Sequence, residues 1–372
     1  SPDGRHVLSG SANYMLKLWK TDTGKEIHSI YHHRFYIHGA RYGVTCVAFS
    51  PDGKRAVAGY KNGTLKLWDI LRQDAVVGGV QKNSAAAHAG LAEADAIVSV
   101  EGKTIRSWPE FEGAVALNPG KALDIALLRN GQAITVRLTP ATVKIKNAEG
   151  REISAGASGA LQGGVCLHSL KGNKRKVSSL SVSPDGRYMV AAHDAGTVSL
   201  WDLQTGREWR NFAPYKNDAS VAFSPRGQVF LSAGQDDVTL WDAAQARPVS
   251  KFDQDGIGFL SRALAYSPDG RYAAAGGDKE IQVYDMGDRR AILTIPMKRD
   301  AKTVQFSPDN RFLASGSSMD VQLWDAQTGR EIRTMRPGSF VYSVAFTPDG
   351  RYLISGAQRY SGIGLDYENT LK

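Results

Sequence analysis

The sequence is poor in the features that mark several large protein classes. It holds two cysteines, Cys46 and Cys166, in 372 residues. Two thiols make no disulfide framework, and their surroundings fit no zinc pattern. No run of 18 apolar residues occurs, so no helical membrane span is encoded. A Gly-x-Ser-x-Gly nucleophile elbow and a glycine-rich phosphate loop opening a helix are both missing. Gly156-Ala157-Ser158-Gly159 offers a serine, but in linker-like composition with no positioned base. No cofactor is expected. The chain opens inside a repeat unit and stops within another at Thr370-Leu371-Lys372, so it reads as part of a longer multidomain protein, and nothing in it names a compartment.

What is present is repetition. Ser-Pro-Asp-Gly or a near spelling occurs at Ser1, Ser50, Ser183, Ser224, Ser267, Ser307 and Thr347, with start-to-start intervals of 49, 133, 41, 43, 40 and 40 residues. Proline presets φ for a turn and glycine accepts φ > 0, so each copy reads as a tight turn between strands. About fifteen residues later comes an alternating strand ending in an aromatic: Leu16–Trp19, Leu65–Asp69, Val198–Asp202, Val238–Asp242, Ile281–Asp285 and Val321–Asp325. The terminal Trp or Tyr offers an apolar body and a polar tip able to bond between neighbouring units. Thr-Gly-Lys/Arg-Glu then leads into an outer strand at Thr23, Thr205 and Thr328.

A period near 40 in a strand-rich chain signals a propeller, and the units resemble WD40 repeats, in a spelling closest to bacterial members. The resemblance covers residues 1–70 and 164–372. It implies an all-β, seven-bladed propeller with truncated first and last blades, although the family's Gly-His before the first strand is mostly missing, as at Gly172-Asn173. With strands lettered a to d from centre to rim, the first unit lacks a and the last lacks d.

The long interval marks an insertion in the second blade, between strands c and d. Residues 71–140 spell a strand from Ala75, a short helix after Ser84, a strand–turn–strand across Asp95–Ile105, a helix Pro109–Leu117 capped by Ser107, and a hairpin Leu123–Arg129/Ala133–Leu138 about Asn130-Gly131. Ser84…Ala89-Gly90-Leu91…Asp95-Ala96-Ile97…Glu101-Gly102-Lys103…Pro119-Gly120-Lys121…Leu128–Gly131 resembles an α+β PDZ domain of the type beside HtrA-like proteases. Ala94 stands where that family usually has glycine. Such domains bind peptides by strand addition beside one helix, which implies a groove at Val76, Val77, Phe111, Ala114 and Val115. The strand expected before Ala75 is missing. Either residues 141–163 supply it, or they are a return linker and the groove is incomplete.

Nearly all of the formal charge of +9 resides in the repeats, since residues 71–140 carry seven basic and seven acidic side chains. A solvated basic surface accounts for it, and no nucleic-acid partner is expected. Tyr31, His33, Arg34, Tyr36, Arg41 and Tyr42 on one loop, with Arg359, Tyr360 and Tyr367 on another, fall on one face of adjoining units. Their composition suits a protein-binding patch, and the histidine spacing fits no metal site. The expected function is a non-enzymatic scaffold for protein or peptide partners. The alternative is a regulatory or substrate-recognition part of a larger protease or kinase.

Overall fold

The computed structural model describes residues 1–11, 15–31, 43–70, 74–146, 152–162, 165–171, 175–194, 196–213, 215, 218–234, 237–253, 263–337, 340–360 and 367–371. Seven antiparallel sheets hold twenty-six strands of the repeat region. The first has three (His6–Gly10, Met15–Lys20, Glu26–Tyr31), the last has three (Phe340–Phe346, Leu353–Tyr360, Tyr367–Leu371), and each of the five between has four.

Each Ser-Pro-Asp-Gly turn is built around a hydroxyl, buried in every copy after the first. Ser267 Oγ donates to Asp269 Oδ1 at 2.6 Å and accepts from Tyr272 N at 2.8 Å, while Asp269 Oδ1 accepts from Arg271 N at 3.0 Å. Ser307 and Asp309 repeat the pattern. The turns also join the blades. A β-carbon on Gly53 would stand 3.5 Å from Pro2, one on Gly186 3.5 Å from Pro51, and one on Gly227 3.3 Å from Pro184. Gly4 of the first sheet meets Pro348 of the last in the same way, at 3.1 Å, which closes the ring.

Six apolar clusters fill the gaps between successive sheets. One packs Leu16, Leu18 and Ile30 of the first blade on Val44, Ala56 and Trp68 of the second, and the series continues to Ala314 and Val321 against Val341 and Val344. The polar tips of the repeat aromatics bond within their own blades rather than between units. Trp19, Trp241 and Trp324 donate through Nε1 to Ser9, Ser232 and Ser315 at 2.8–2.9 Å. Each of these serines lies on the strand paired with its tryptophan. Bonds between blades come instead from inner-strand side chains. Ser178 Oγ donates to Ala219 O at 2.7 Å, and Ser181 Oγ accepts from Phe223 N at 3.0 Å. The missing Gly-His device is replaced locally: Tyr215 Oη lies 2.8 Å from Ser232 Oγ, the hydroxyl that Trp241 also bonds.

The insert leaves the second blade after Asp69 and returns at Val165, where Val165–Lys171 pairs with Thr64–Asp69 as the outer strand. Its elements are β1 (Val77–Val80), α1 (Ala85–His88), β2 (Ala96–Val100), β3 (Lys103–Thr104), α2 (Trp108–Ala116), β4 (Leu123–Arg129), β5 (Gln132–Leu138), β6 (Ala141–Lys146), β7 (Glu152–Ala157) and β8 (Ala160–Gln162). One sheet runs β5-β4-β2-β3, while β6 pairs with β7 and β8 pairs with β1. Val77, Phe111, Leu123, Ile125 and Leu138 are its fully buried centre. β1 and β8 lie against the outer strand Glu26–Tyr31 of the first blade, so the insert is seated on the rim of the ring.

A buried ion pair braces the insert. Asp95 is wholly buried and receives Arg129 Nε and Nη2, each at 2.7 Å, along with Ala92 N at 2.8 Å. Arg129→Ala would leave that carboxylate buried without its partner, a loss of about 3 kcal/mol, read as earlier unfolding of the insert in denaturant. Ala94 sits at φ +68°, the conformation that glycine takes without strain. Ala94→Gly is expected to stabilise the insert by roughly 0.5–1 kcal/mol, after the greater chain entropy of glycine is subtracted.

The turn aspartates set an acid limit. Hydroxyl bonds from Ser50, Ser307 and Thr347, reinforced by the amides of Lys54, Arg311 and Arg351, hold Asp52, Asp309 and Asp349 below the ordinary carboxylate range. Folded-state pKa values below the unfolded value give stability that is full above about pH 4 and is lost as pH falls through the folded values. Thermal melts between pH 7 and pH 2 should show that loss. The triple variant Asp52→Asn, Asp309→Asn, Asp349→Asn should begin less stable and change less.

Candidate functional site

Two regions of the molecule carry the features of interaction sites. The first is the insert around α2. Ser107 caps the helix by accepting from Glu110 N at 3.4 Å, and Glu110 Oε2 accepts from Arg106 N at 2.9 Å. The helix buries Trp108, Phe111 and Val115 on one face, with the Trp108 and Phe111 rings 5.2 Å apart. Ala114 is half-buried against the same core. Val77 lies in β1 with its side chain in that core, and Val76 forms a single bridge to Ala96. Val77, Phe111, Ala114 and Val115 therefore meet in one cluster.

The lane beside α2 contains the chain's own backbone. β8 pairs antiparallel with β1, Ala160 opposite Val80 and Gln162 opposite Val77. β7, which precedes it, runs along α2. Gly156 stands so close that a β-carbon there would lie 2.2 Å from the Val115 carbonyl oxygen and 2.9 Å from Pro140 Cβ. Gly120 N donates to Pro140 O at 2.9 Å, fixing the start of β6 beside the end of the helix. Ala86 N donates to Ser158 O at 2.7 Å and Gln81 N to Gly159 O at 2.9 Å, fixing the end of β7 to the start of α1. Composition alone hides this, because Gly156–Gly164 reads as linker while Ala155, Ser158 and Ala160 are buried.

The second region is the end of the ring that carries the d–a and b–c connections. His33, Arg34, Tyr36, Arg41 and Tyr42 lie outside the described residues. Tyr31 closes the strand Glu26–Tyr31, its backbone opposite Met15. Arg359 pairs with Glu368 and Tyr360 with Tyr367 through the backbone of the last sheet. On that sheet Phe340, opposite Gln358, begins the inner strand. Its ring and that of Tyr342 both face Lys302 of the preceding blade, whose Nζ lies 5.4 and 5.5 Å from the two centroids. Phe340 is 37% and Tyr342 55% exposed, so both rings present apolar surface to solvent beside the cation. The repeat pattern conceals this cluster, because inner-strand positions read as core.

Burial pushes the Cys46 thiol up to about 12. No three of His, Cys, Asp and Glu gather as metal ligands among the described residues. No helix among them is long and apolar enough to cross a membrane.

Comparison with known families agrees with the two-part architecture. The WD domain, G-beta repeat, matches residues 24–69, 164–202, 252–285, 298–325 and 329–361. The PDZ domain model matches 54–139, overlapping the repeat over 54–69, which the structure assigns to strands of the second blade. Among similar proteins, the zinc metalloprotease RasP of Oceanobacillus iheyensis is 32% identical over 91 residues, 24% of this chain and 22% of its own length. The regulator of sigma-E protease RseP of Salmonella typhimurium is 42% identical over 78 residues, 21% of this chain and 17% of its own. TBC1 domain family member 31 of Xenopus tropicalis is 30% identical over 142 residues, 37% of this chain and 13% of its own. The protease matches fall in the insert, and the chain spans about a fifth of those relatives. Ring, insert and family matches agree: the chain carries WD40 repeats, and a PDZ domain is inserted in the second blade that they build.

Proposed function

We propose that this chain is a non-enzymatic scaffold that holds protein partners on the d–a/b–c face of the propeller and a peptide at the insert. Both modules are protein-interaction modules, which sets the class. The observation that carries the finer reading is the exposed Phe340–Lys302–Tyr342 cluster on the sheet that also holds Arg359, Tyr360 and Tyr367. Aromatic rings around a cation, partly desolvated and rigidly placed, have the composition of a binding hot spot. Tyr31, His33, Arg34, Tyr36, Arg41 and Tyr42 extend that patch in this reading, and Val76, Val77, Phe111, Ala114 and Val115 form the insert's wall.

One observation favours a second reading, in which the chain is the recognition part of a larger enzyme: the insert's relatives are named as proteases. Reading the complete gene separates the two, since a catalytic domain in the same frame would support the second.

The scaffold reading is tested by affinity capture with the wild-type chain and with Phe340→Ala/Tyr342→Ala and Tyr36→Ala/Tyr360→Ala variants of unchanged melting temperature. Truncating a hot-spot pair costs about 2 kcal/mol or more, so face-bound partners should drop to a few per cent in both variants. An unchanged set of partners in both would overturn it.

A further inference from the structure

The third blade satisfies its tryptophan differently from its neighbours. Ser9, Ser232 and Ser315 accept the indole proton in the first, fourth and sixth blades. In the third blade the matching position is Ala191, opposite Ser199 as Ser232 is opposite Thr239. Trp201 Nε1 donates instead to Ser199 Oγ on its own strand, at 2.9 Å. That hydroxyl lies 3.1 Å from His193 Nε2, and His193 Nδ1 lies 3.3 Å from the Arg175 carbonyl oxygen. The ring is wholly buried. A carbonyl oxygen only accepts, so Nδ1 carries the proton, Nε2 accepts and Ser199 donates to it. The bonds therefore run in one direction from Trp201 through Ser199 and His193 to Arg175. This chain needs a neutral imidazole. The serines of the other three blades gain no charge near neutral pH, whereas a titratable ring takes part here.

The charges around the ring are few. Asp194, next in the chain, acts on it electrostatically, and its Oδ1 is buried without a hydrogen-bond partner among the described residues. Arg175 and Lys176 precede the inner strand Val177–Val182, and Lys176 O accepts from Asp194 N at 3.0 Å. On the side of the second blade Cys46 packs in the same joint, with a thiol that burial keeps protonated. On the side of the fourth blade Tyr215 N donates to Gly196 O at 3.4 Å, and burial keeps its phenol protonated. A buried carboxylate oxygen without a donor is costly unless a second arrangement satisfies it. A protonated His193 supplies that donor.

Burial holds the imidazole below its ordinary value of 6.5, while the Arg175 carbonyl and Asp194 pull it upward. With the folded value below the unfolded one, the stabilisation is full above about pH 6.5 and is lost as pH falls through the folded value. The loss begins at a higher pH than the one set by the turn aspartates.

We propose that His193 is a proton-operated toggle in the third blade: neutral, it ties Ser199 to the Arg175 carbonyl; protonated, it turns to the Asp194 carboxylate and releases the start of the inner strand. Ser199 then donates to Ala191 O, 3.5 Å from its oxygen, so Trp201 keeps its acceptor. The part that loosens is the corner made by Arg175 and Lys176 on the d–a/b–c face. Acidification thereby alters one sector of that face and leaves the blades served by serine unchanged.

The test is amide exchange of the full chain in half-unit steps from pH 7.5 to pH 5.0, corrected for intrinsic rates. Residues 175–183 and 188–194 should lose protection about tenfold or more, and the matching residues 303–316 of the sixth blade should keep theirs. His193→Gln offers a neutral donor and acceptor to the same two partners, so its protection should not change with pH. Asp194→Asn removes the charge that receives the imidazolium, so the loss should move to lower pH. Constant protection of the third blade in the wild type, an equal loss in His193→Gln, or an unmoved midpoint in Asp194→Asn would each overturn the toggle. Should a variant fail to fold, the ring nitrogen resonances of the wild type decide. The histidine that is an Nδ1–H tautomer at pH 7.5 should become imidazolium over the range in which exchange changes, and a ring still neutral at pH 5.0 sinks the proposal.

Discussion

Each of the five middle blades of this ring is a sheet apolar on both faces, and that is the constraint from which the rest follows. Met189 and Ala191 of the third blade face the second, while Val190 and Ala192 on the same strand face the fourth. A sheet of this kind is stable only between two neighbours, so no blade stands alone and the chain must close on itself. Between the last blade and the first, Gly4 against Pro348 is the contact seen among the described residues, and the six other joints are filled by apolar clusters.

The propeller was largely legible in the sequence because its signals are local and repeated. Turn chemistry, strand alternation and the tryptophans each recur near the same period, and the expected strand count of each blade is the one observed. In the insert, Asn130-Gly131 gave the hairpin and Ser107 the helix start, because both depend on a few adjacent residues. The bonding of the tryptophans was not legible. Nothing in the spacing distinguishes a bond to a serine on the paired strand from a bond across to the next unit, and only the register decides it.

The groove was the least legible part. Val77, Phe111 and Val115 could be placed by pattern, yet the closest backbone approach to α2 is made by a glycine in a stretch whose composition suggests flexibility. Small residues have two opposite uses, leaving a chain free or letting it approach another backbone closely. Gly156 belongs to the second use, and only the neighbouring carbonyl reveals it. Lys302, Phe340 and Tyr342 were hidden for a related reason, since they occupy positions where the repeat normally buries side chains.

Placing a whole domain between two paired strands also has a kinetic side. Residues 70–164 separate Thr64–Asp69 from its partner Val165–Lys171. As an unstructured loop, that length would cost roughly 2–3 kcal/mol more to close than a turn of a few residues. Once the insert has folded, its two ends are held near one another and most of that cost disappears. Pairing of the outer strand in the second blade is therefore coupled to the folding of the insert, a dependence that an uninterrupted series of repeats lacks.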